Sequence, residues 1–238
     1  MDNVEDLVRI DLNLDAGESE SALHDGSEAM LYDMVTSINI ACGGHAGTSG
    51  SIQKSIQLAR ERGLSIGAHP SYPDKKNFGR ELLNLSPKKL KQSLIEQIET
   101  LKLVCDSEGV DLRHVKLHGA LYNESAENSI VAQVVFDSMK AIDPKMRLVG
   151  LAGSSFLKWA QSEGFSVVAE AFVDRAYLSG GALQPRSEPG SVYSDPFVAA
   201  EQALDIVIRK RVRAVDGSWI KLHADTLCIH GDSVNAHN

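Results

Sequence analysis

At 238 residues and 43% apolar side chains, the chain can bury a sizeable core, and its length suits a single α/β barrel domain. Aromatic residues are only 5%, so that core is expected to be built from Val, Ile, Leu and Ala. A formal charge of −8 argues against nucleic acid or an anionic membrane as partner, because both require a concentrated basic face. The basic run Arg209-Lys210-Arg211 follows an amphipathic pattern and reads as charges at a helix C-terminus. Three widely spaced cysteines, Cys42, Cys105 and Cys228, match neither a disulfide framework nor a zinc knuckle, which points to a reducing compartment. The N-terminal MDNVEDLVRI is acidic where a signal peptide needs a basic start. No apolar run approaches the roughly 18 residues of a membrane span, so a cytoplasmic location is expected.

Residues 9–14 (RIDLNL) alternate as a strand, and Asp15-Ala16-Gly17-Glu18 closes it with two carboxylates. A helical segment over 28–35 leads to SINIACGGHAG (37–47), a short apolar strand ending in glycines around His45. Residues 50–62 place Ile52, Ile56 and Ala59 on one helical face, with Gly63 as a stop. LSIGAH (64–69) is a third strand ending in His69, and the loop 71–81 after it is either a lid or a surface excursion. Ser86-Pro87 opens a long helix with Leu90, Leu94, Ile98 and Leu101 in one stripe, and Gly109 ends it.

The next strand, His114–Leu117, carries Lys116 among apolar neighbours and delivers His118 to its carboxyl end, where Gly119-Ala120 lets the backbone turn. An ammonium in such a place costs several kcal/mol unless paired, so Lys116 is expected to meet a carboxylate or an anionic ligand in a polar interior. A helix over 130–139, a strand over 147–153, a short helix over 154–163 and a strand over 165–172 follow, the last closing on Asp174-Arg175. Residues 177–195 form a long irregular loop, a kind usually reserved for function or disorder, and 195–210 a helix. VRAV and SWIKL around Asp216-Gly217 predict a hairpin decoration near 212–222, and DTLCIHGD (225–232) is a last apolar strand ending at His230.

Seven strands alternating with helices demand a parallel sheet, either closed as an incomplete barrel or open and doubly wound. In either case the carboxyl ends of the strands share one face, where such sheets bind ligands. His45, His69, His118 and His230, four of the eight histidines, fall just after apolar strand cores, joined there by Asp15 and Asp174. Imidazoles with a carboxylate can hold a divalent metal and activate its water, and Asp15, His45 and His69 are the candidate ligands. Without a metal the same groups serve as general acid and base, with Lys116 and Arg175 neutralising an anion. There is no GxSxG elbow, Walker A loop or dinucleotide fingerprint.

The segments IDLNLDAGES (10–19), NIACGGHAG (39–47), GAHP (67–70), FGR (78–80), HVKLHGALYN (114–123), GLAGS (150–154), FVDRAY (172–177), VRAVDG (212–217) and DTLCIHGD (225–232) resemble the LamB/YcsF family over nearly the whole chain and in the family's order. The family is identified as the A component of the bacterial three-subunit ATP-dependent 5-oxoprolinase. The resemblance implies an irregular seven-stranded parallel (β/α) barrel related to glycoside hydrolase and deacetylase barrels. It also implies ATP as co-substrate, two partner subunits (the B and C components), and opening of 5-oxoproline to glutamate. In that reading Asp15 and a histidine are the acid/base groups, Lys116 and Arg175 grip phosphate or the substrate carboxylate, and a divalent metal, Mg²⁺ first, is a further expectation. The alternatives are a stand-alone metal-dependent deacetylase or amidohydrolase and a non-catalytic subunit. Leu14 and Leu117 stand where the family often has Cys and Pro, and members usually continue into a short helix beyond the final motif, which raises the expectation of an imperfect last seam.

Overall fold

The computed structural model describes residues 8–229. Six strands run in sequence order around one sheet: β1 (Asp11–Ala16), β2 (Ser37–Ala41), β3 (Ser65–His69), β4 (Leu112–Lys116), β5 (Arg147–Leu151) and β6 (Val167–Phe172). The hairpin strands β7 (Arg211–Arg213) and β8 (Trp219–Lys221) pair antiparallel outside it, as the Asp216-Gly217 turn predicts. The last strand, β9 (Thr226–Ile229), then slots between β6 and β1, with Leu227 opposite both Ala171 and Leu12. The result is a closed, all-parallel seven-stranded barrel, so the last seam is complete. His230 lies outside the described residues.

Parallel strands need crossovers, and among the described residues eight helices supply most of them: α1 (Glu20–Asp25), α2 (Ser27–Tyr32), α3 (Ser49–Arg62), α4 (Pro87–Ser107), α5 (Gly119–Glu127), α6 (Ser129–Ile142), α7 (Ser155–Ser162) and α8 (Pro196–Val207). The start of α4 follows its sequence signal, since the Ser86 hydroxyl accepts from Lys89 N and Pro87 occupies the first turn. Two helices escape the periodicity. α1 is only six residues long, capped by Ser19, and α5 begins at Gly119 itself, where the sequence reads as a plain turn. At Gly119 φ is +59°, and a Cβ would lie 2.5 Å from the Gly79 carbonyl oxygen, so the loop 71–81 docks directly on the start of α5.

Alternation along the strands divides the interior in two. Leu14, Ile38, Ile40, Val115, Leu148, Ala171 and Leu227 belong to the aliphatic shell packed under the helices, as the low aromatic content leads one to expect. The alternate positions face the barrel axis and are largely polar: Asn13, Asp15, Asn39, His114, Lys116, Glu170 and Thr226. Such groups are tolerable in a core only when bonded to one another. Asn13 Nδ2 donates to Thr226 Oγ1 at 2.8 Å, and Asn39 Nδ2 donates to Asn13 Oδ1 at 2.8 Å and Asp15 Oδ1 at 2.9 Å. His114 Nε2 lies 2.9 Å from Asn39 Oδ1, the amide's acceptor, so that nitrogen carries the proton. Room for its ring comes from Gly67 on the neighbouring strand, where a Cβ would overlap the imidazole and the β3–β4 register shifts. Among the described residues no helix is long and apolar enough to cross a membrane.

Gly67→Ala is therefore expected to destabilise the protein by about 1–3 kcal/mol, the usual cost of overpacking, read as a lower urea midpoint. Burial pushes the His114 imidazole down from 6.5 to about 4. The unfolded chain takes up that proton at a higher pH than the folded one, so His114 makes stability fall as pH drops from 6.5 towards 4. That loss is on the order of 3 kcal/mol. A Tm-against-pH profile should flatten in that window for His114→Gln, and an unchanged slope would contradict the assignment.

Candidate functional site

The carboxyl ends of β1, β3, β4 and β6 bring one polar group each to the top of the barrel: Asp15, His69, Lys116 and Glu170. Lys116 is 2% exposed and its Nζ lies 2.8 Å from Asp15 Oδ1 and 2.7 Å from Glu170 Oε1. Asn13 Oδ1 at 3.2 Å and Cys228 Sγ at 3.1 Å complete its surroundings, so its three hydrogens go to Asp15, Asn13 and Cys228 while Glu170 is paired with it by charge. Burial disfavours the ammonium, but Asp15, Cys228 and Glu170 outweigh it and hold Lys116 well above the ordinary lysine range. The ammonium form is therefore favoured, and its hydrogens are directed at Asp15, Asn13 and Cys228. Glu170, fully buried, has its second oxygen held by the Tyr122 hydroxyl at 2.8 Å.

Three imidazoles stand over this pair. His69 ends β3 and donates from Nδ1 to the Lys116 carbonyl oxygen at 2.8 Å, while His118 follows β4 and donates from Nε2 to the Phe78 carbonyl oxygen at 3.0 Å. A carbonyl oxygen only accepts, so the proton positions follow, and His69 Nε2 and His118 Nδ1 face each other at 3.0 Å. His69 Nε2 is also 3.3 Å from Asp15 Oδ2. His45, in the loop after β2, stacks on His118 with centroids 3.6 Å apart, and its Nε2 lies 2.8 Å from Glu18 Oε1. Phe78 closes over both rings edge-on, at 5.1 Å from His45 and 5.3 Å from His118. The loop 71–81 is therefore a clamp on the histidines.

Burial lowers His45 despite the Glu18 hydrogen bond, and burial with the neighbouring His69 and His45 lowers His118 further. Burial opposes protonation of His69 too, but Asp15 overrides it and raises that imidazole. One proton is thereby favoured on His69, beside Asp15 and shared towards His118.

The cluster faces a cavity of about 530 Å³ walled by Leu117, Leu151, Phe172 and Leu183, with Arg80, Arg175 and Arg186 around it. Of the residues singled out from sequence, Asp15, His45, His69, Lys116 and His118 converge. Arg175 lines the cavity, yet its Nη2 and Nε donate to the carbonyl oxygens of Gln184 (2.7 Å) and Ser191 (3.2 Å), organising the loop 177–195, and burial lowers it to about 10. Asp174 is buried beside it but does not line the cavity. Among the described residues Glu18, His45, His69 and His118 bring metal-type donor atoms within 4.8 Å of one another, and Asp15 Oδ2 lies 3.3 Å from His69 Nε2 at the edge of that group. Glu170 and Glu18 are the residues sequence reasoning passes over as site members. Glu170 carries the same signal as Lys116, a charge inside the apolar strand VVAEAF.

Fold and site together define a parallel (β/α) barrel protein with an imidazole–carboxylate centre at its strand ends. The chain belongs to the LamB/YcsF family, whose model matches residues 10–238. It is 44% identical over 224 residues to the 5-oxoprolinase A subunit (number 3) of Pseudomonas syringae pv. tomato, covering 94% of this chain and 88% of the relative. It is 43% identical over 229 residues to the 5-oxoprolinase A subunit of Thermus thermophilus, covering 96% and 92%. The crystal structure of the lactam utilization protein from Thermus thermophilus matches with a TM-score of 0.86 at 40% identity, over 96% of this chain and 92% of that one. A structure from Enterococcus faecalis V583, at 14% identity and a TM-score of 0.54 over 92% of this chain and 80% of that one, shares the fold alone.

Removing the central cation strands the buried Glu170 carboxylate and takes from Asp15, at the cavity, its cationic partner. Lys116→Met is expected to cost roughly 3–5 kcal/mol in chemical denaturation, and adding Glu170→Gln should return part of that loss. A single variant as stable as wild type would show that the pairing is not what keeps the barrel interior together.

Proposed function

We propose that this chain is the A component of an ATP-dependent 5-oxoprolinase and carries the hydrolytic half of the reaction, the opening of the lactam 5-oxoproline to glutamate. The observation supporting this is the Asp15 carboxylate, held between an ammonium and a proton-bearing imidazole at the mouth of a cavity. A five-membered lactam is a poor electrophile, and transfer of a phosphoryl group from ATP to its amide oxygen, in a complex with the B and C components, makes the ring carbon attackable. Asp15 then takes a proton from water as its oxygen bonds to that carbon. The adduct can expel phosphate, which regenerates the lactam, or break the ring C–N bond. Proton delivery to the ring nitrogen by His69 favours the second course, leaving an acyl phosphate whose hydrolysis releases glutamate and phosphate. Lys116 keeps Asp15 aimed, and Arg175, with Arg80 and Arg186 on the cavity wall, supplies positive charge towards an anionic substrate.

The facing nitrogens of His69 and His118, with the Glu18 carboxylate beside them, fit a divalent ion. When bound, it would polarise a carbonyl oxygen and lower the pKa of a water to roughly 7. The same donors favour a second reading, a self-sufficient metal-dependent amidohydrolase, whose mark is turnover without ATP.

In the complex reconstituted with its two partner subunits, Asp15→Asn should lower 5-oxoproline-dependent glutamate release by about 10²–10⁴-fold, the usual worth of a general base. A loss under about tenfold, or equal glutamate release without ATP, would overturn the proposal.

A further inference from the structure

We propose that Glu18, His69 and His118 bind a divalent transition ion of the zinc or cobalt type, with His45 holding the carboxylate from behind. The inference rests on the hydrolytic reading above and changes one assignment in it: with Nδ1 on the Lys116 carbonyl and Nε2 on the ion, His69 carries no proton to give, so in the ion-bound state Asp15 returns to the ring nitrogen the proton it takes from water.

Both coordinating rings are already fixed by backbone. His69 Nδ1 donates to the Lys116 carbonyl and His118 Nε2 to the Phe78 carbonyl, the outer-shell partners that metal-bound histidines characteristically have. Their remaining nitrogens face each other at 3.0 Å, and Glu18 Oε1 lies 3.4 Å from His118 Nδ1 and 4.0 Å from His69 Nε2. An ion bound at about 2.0–2.2 Å separates its donors by about 3–3.5 Å, so the three gaps need only small adjustments. The rings of His69 and His118 stand at 86°, which lets both aim in-plane at a common point.

His45 is different. Its ring is parallel to that of His118 within 3° and 3.6 Å away, so an ion in the His118 plane lies well outside its own. Its part is to donate from Nε2 to Glu18 Oε1 at 2.8 Å, orienting that carboxylate. Two imidazoles and one carboxylate suit zinc, cobalt, nickel or iron, whereas Mg²⁺ takes oxygen ligands and keeps its waters. The proposal departs here from the Mg²⁺ expected from sequence. Asp15 Oδ2 lies 3.3 Å from His69 Nε2, at the edge of this donor set.

The test uses the full chain, stripped with chelator and dialysed against Zn²⁺ or Co²⁺. One ion per chain by elemental analysis is expected, with a visible Co²⁺ band of low-symmetry N/O coordination that excess Mg²⁺ does not abolish. His118→Gln should weaken binding at least about tenfold, and His45→Phe, which keeps the stack but loses the donor, by about 10–100-fold. No stoichiometric uptake by protein whose circular dichroism is native, or uptake unchanged in the His69→Gln/His118→Gln double variant, overturns the site. Glutamate release in the reconstituted complex is measured in parallel. ATP-dependent turnover by protein that binds no ion would remove this inference and leave the proposed function standing, whereas ion uptake without any turnover would do the reverse.

Discussion

An ammonium sealed inside a barrel organises this protein. Lys116 is buried at the floor of the cavity, with little water to offset its desolvation, so its charge is sustained by Asp15 and Glu170 on two other strands. That pairing ties β1, β4 and β6 together across the axis, something aliphatic side chains would do without direction. It also fixes where the Asp15 carboxylate points, with one oxygen bound to Lys116 and Asn39 and the other towards His69.

Below this layer the axis is filled by amides, hydroxyls and one neutral imidazole instead of a Val/Ile/Leu plug. Each of those groups is bonded to the next, from Thr226 through Asn13 and Asn39 to His114. A chain of this kind has few alternative arrangements, because any slip leaves a donor or acceptor unmatched in a region of low dielectric. The stiffness is passed upward to the carboxylate that the proposed chemistry uses. The histidines are stiffened by a different device: backbone carbonyls of Lys116 and Phe78 set their tautomers, and the ring of Phe78 covers them. The loop that carries Phe78 is thereby part of the site, and its contact with the start of α5 keeps it in place.

Much of the architecture is readable from periodicity. The Leu90–Leu94–Ile98–Leu101 stripe, the Ser86-Pro87 start and the Asp216-Gly217 hairpin are all where local chemistry puts them. α1 and α5 are not readable, because six or nine residues hold too few turns to show a 3.6-residue repeat, and Gly119 reads as a breaker although here it opens a helix. Among site residues, Asp15, His69, Lys116 and His118 are visible because each interrupts or ends an apolar strand. Glu170 interrupts β6 in the same manner and is recognisable only once Lys116 is seen to need a second partner.

From the sequence alone follow the alternation of strands and helices, the register that sends polar side chains to strand ends, and the family resemblance. The first two are local properties, set by neighbours a few residues apart. Closure of the barrel by β9 between β6 and β1, the tautomers of His69 and His118, and the gathering of Glu18 with His45, His69 and His118 were decided by tertiary structure. Each depends on atoms from segments far apart in the chain meeting at hydrogen-bonding distance, a condition that no spacing along one strand or helix encodes.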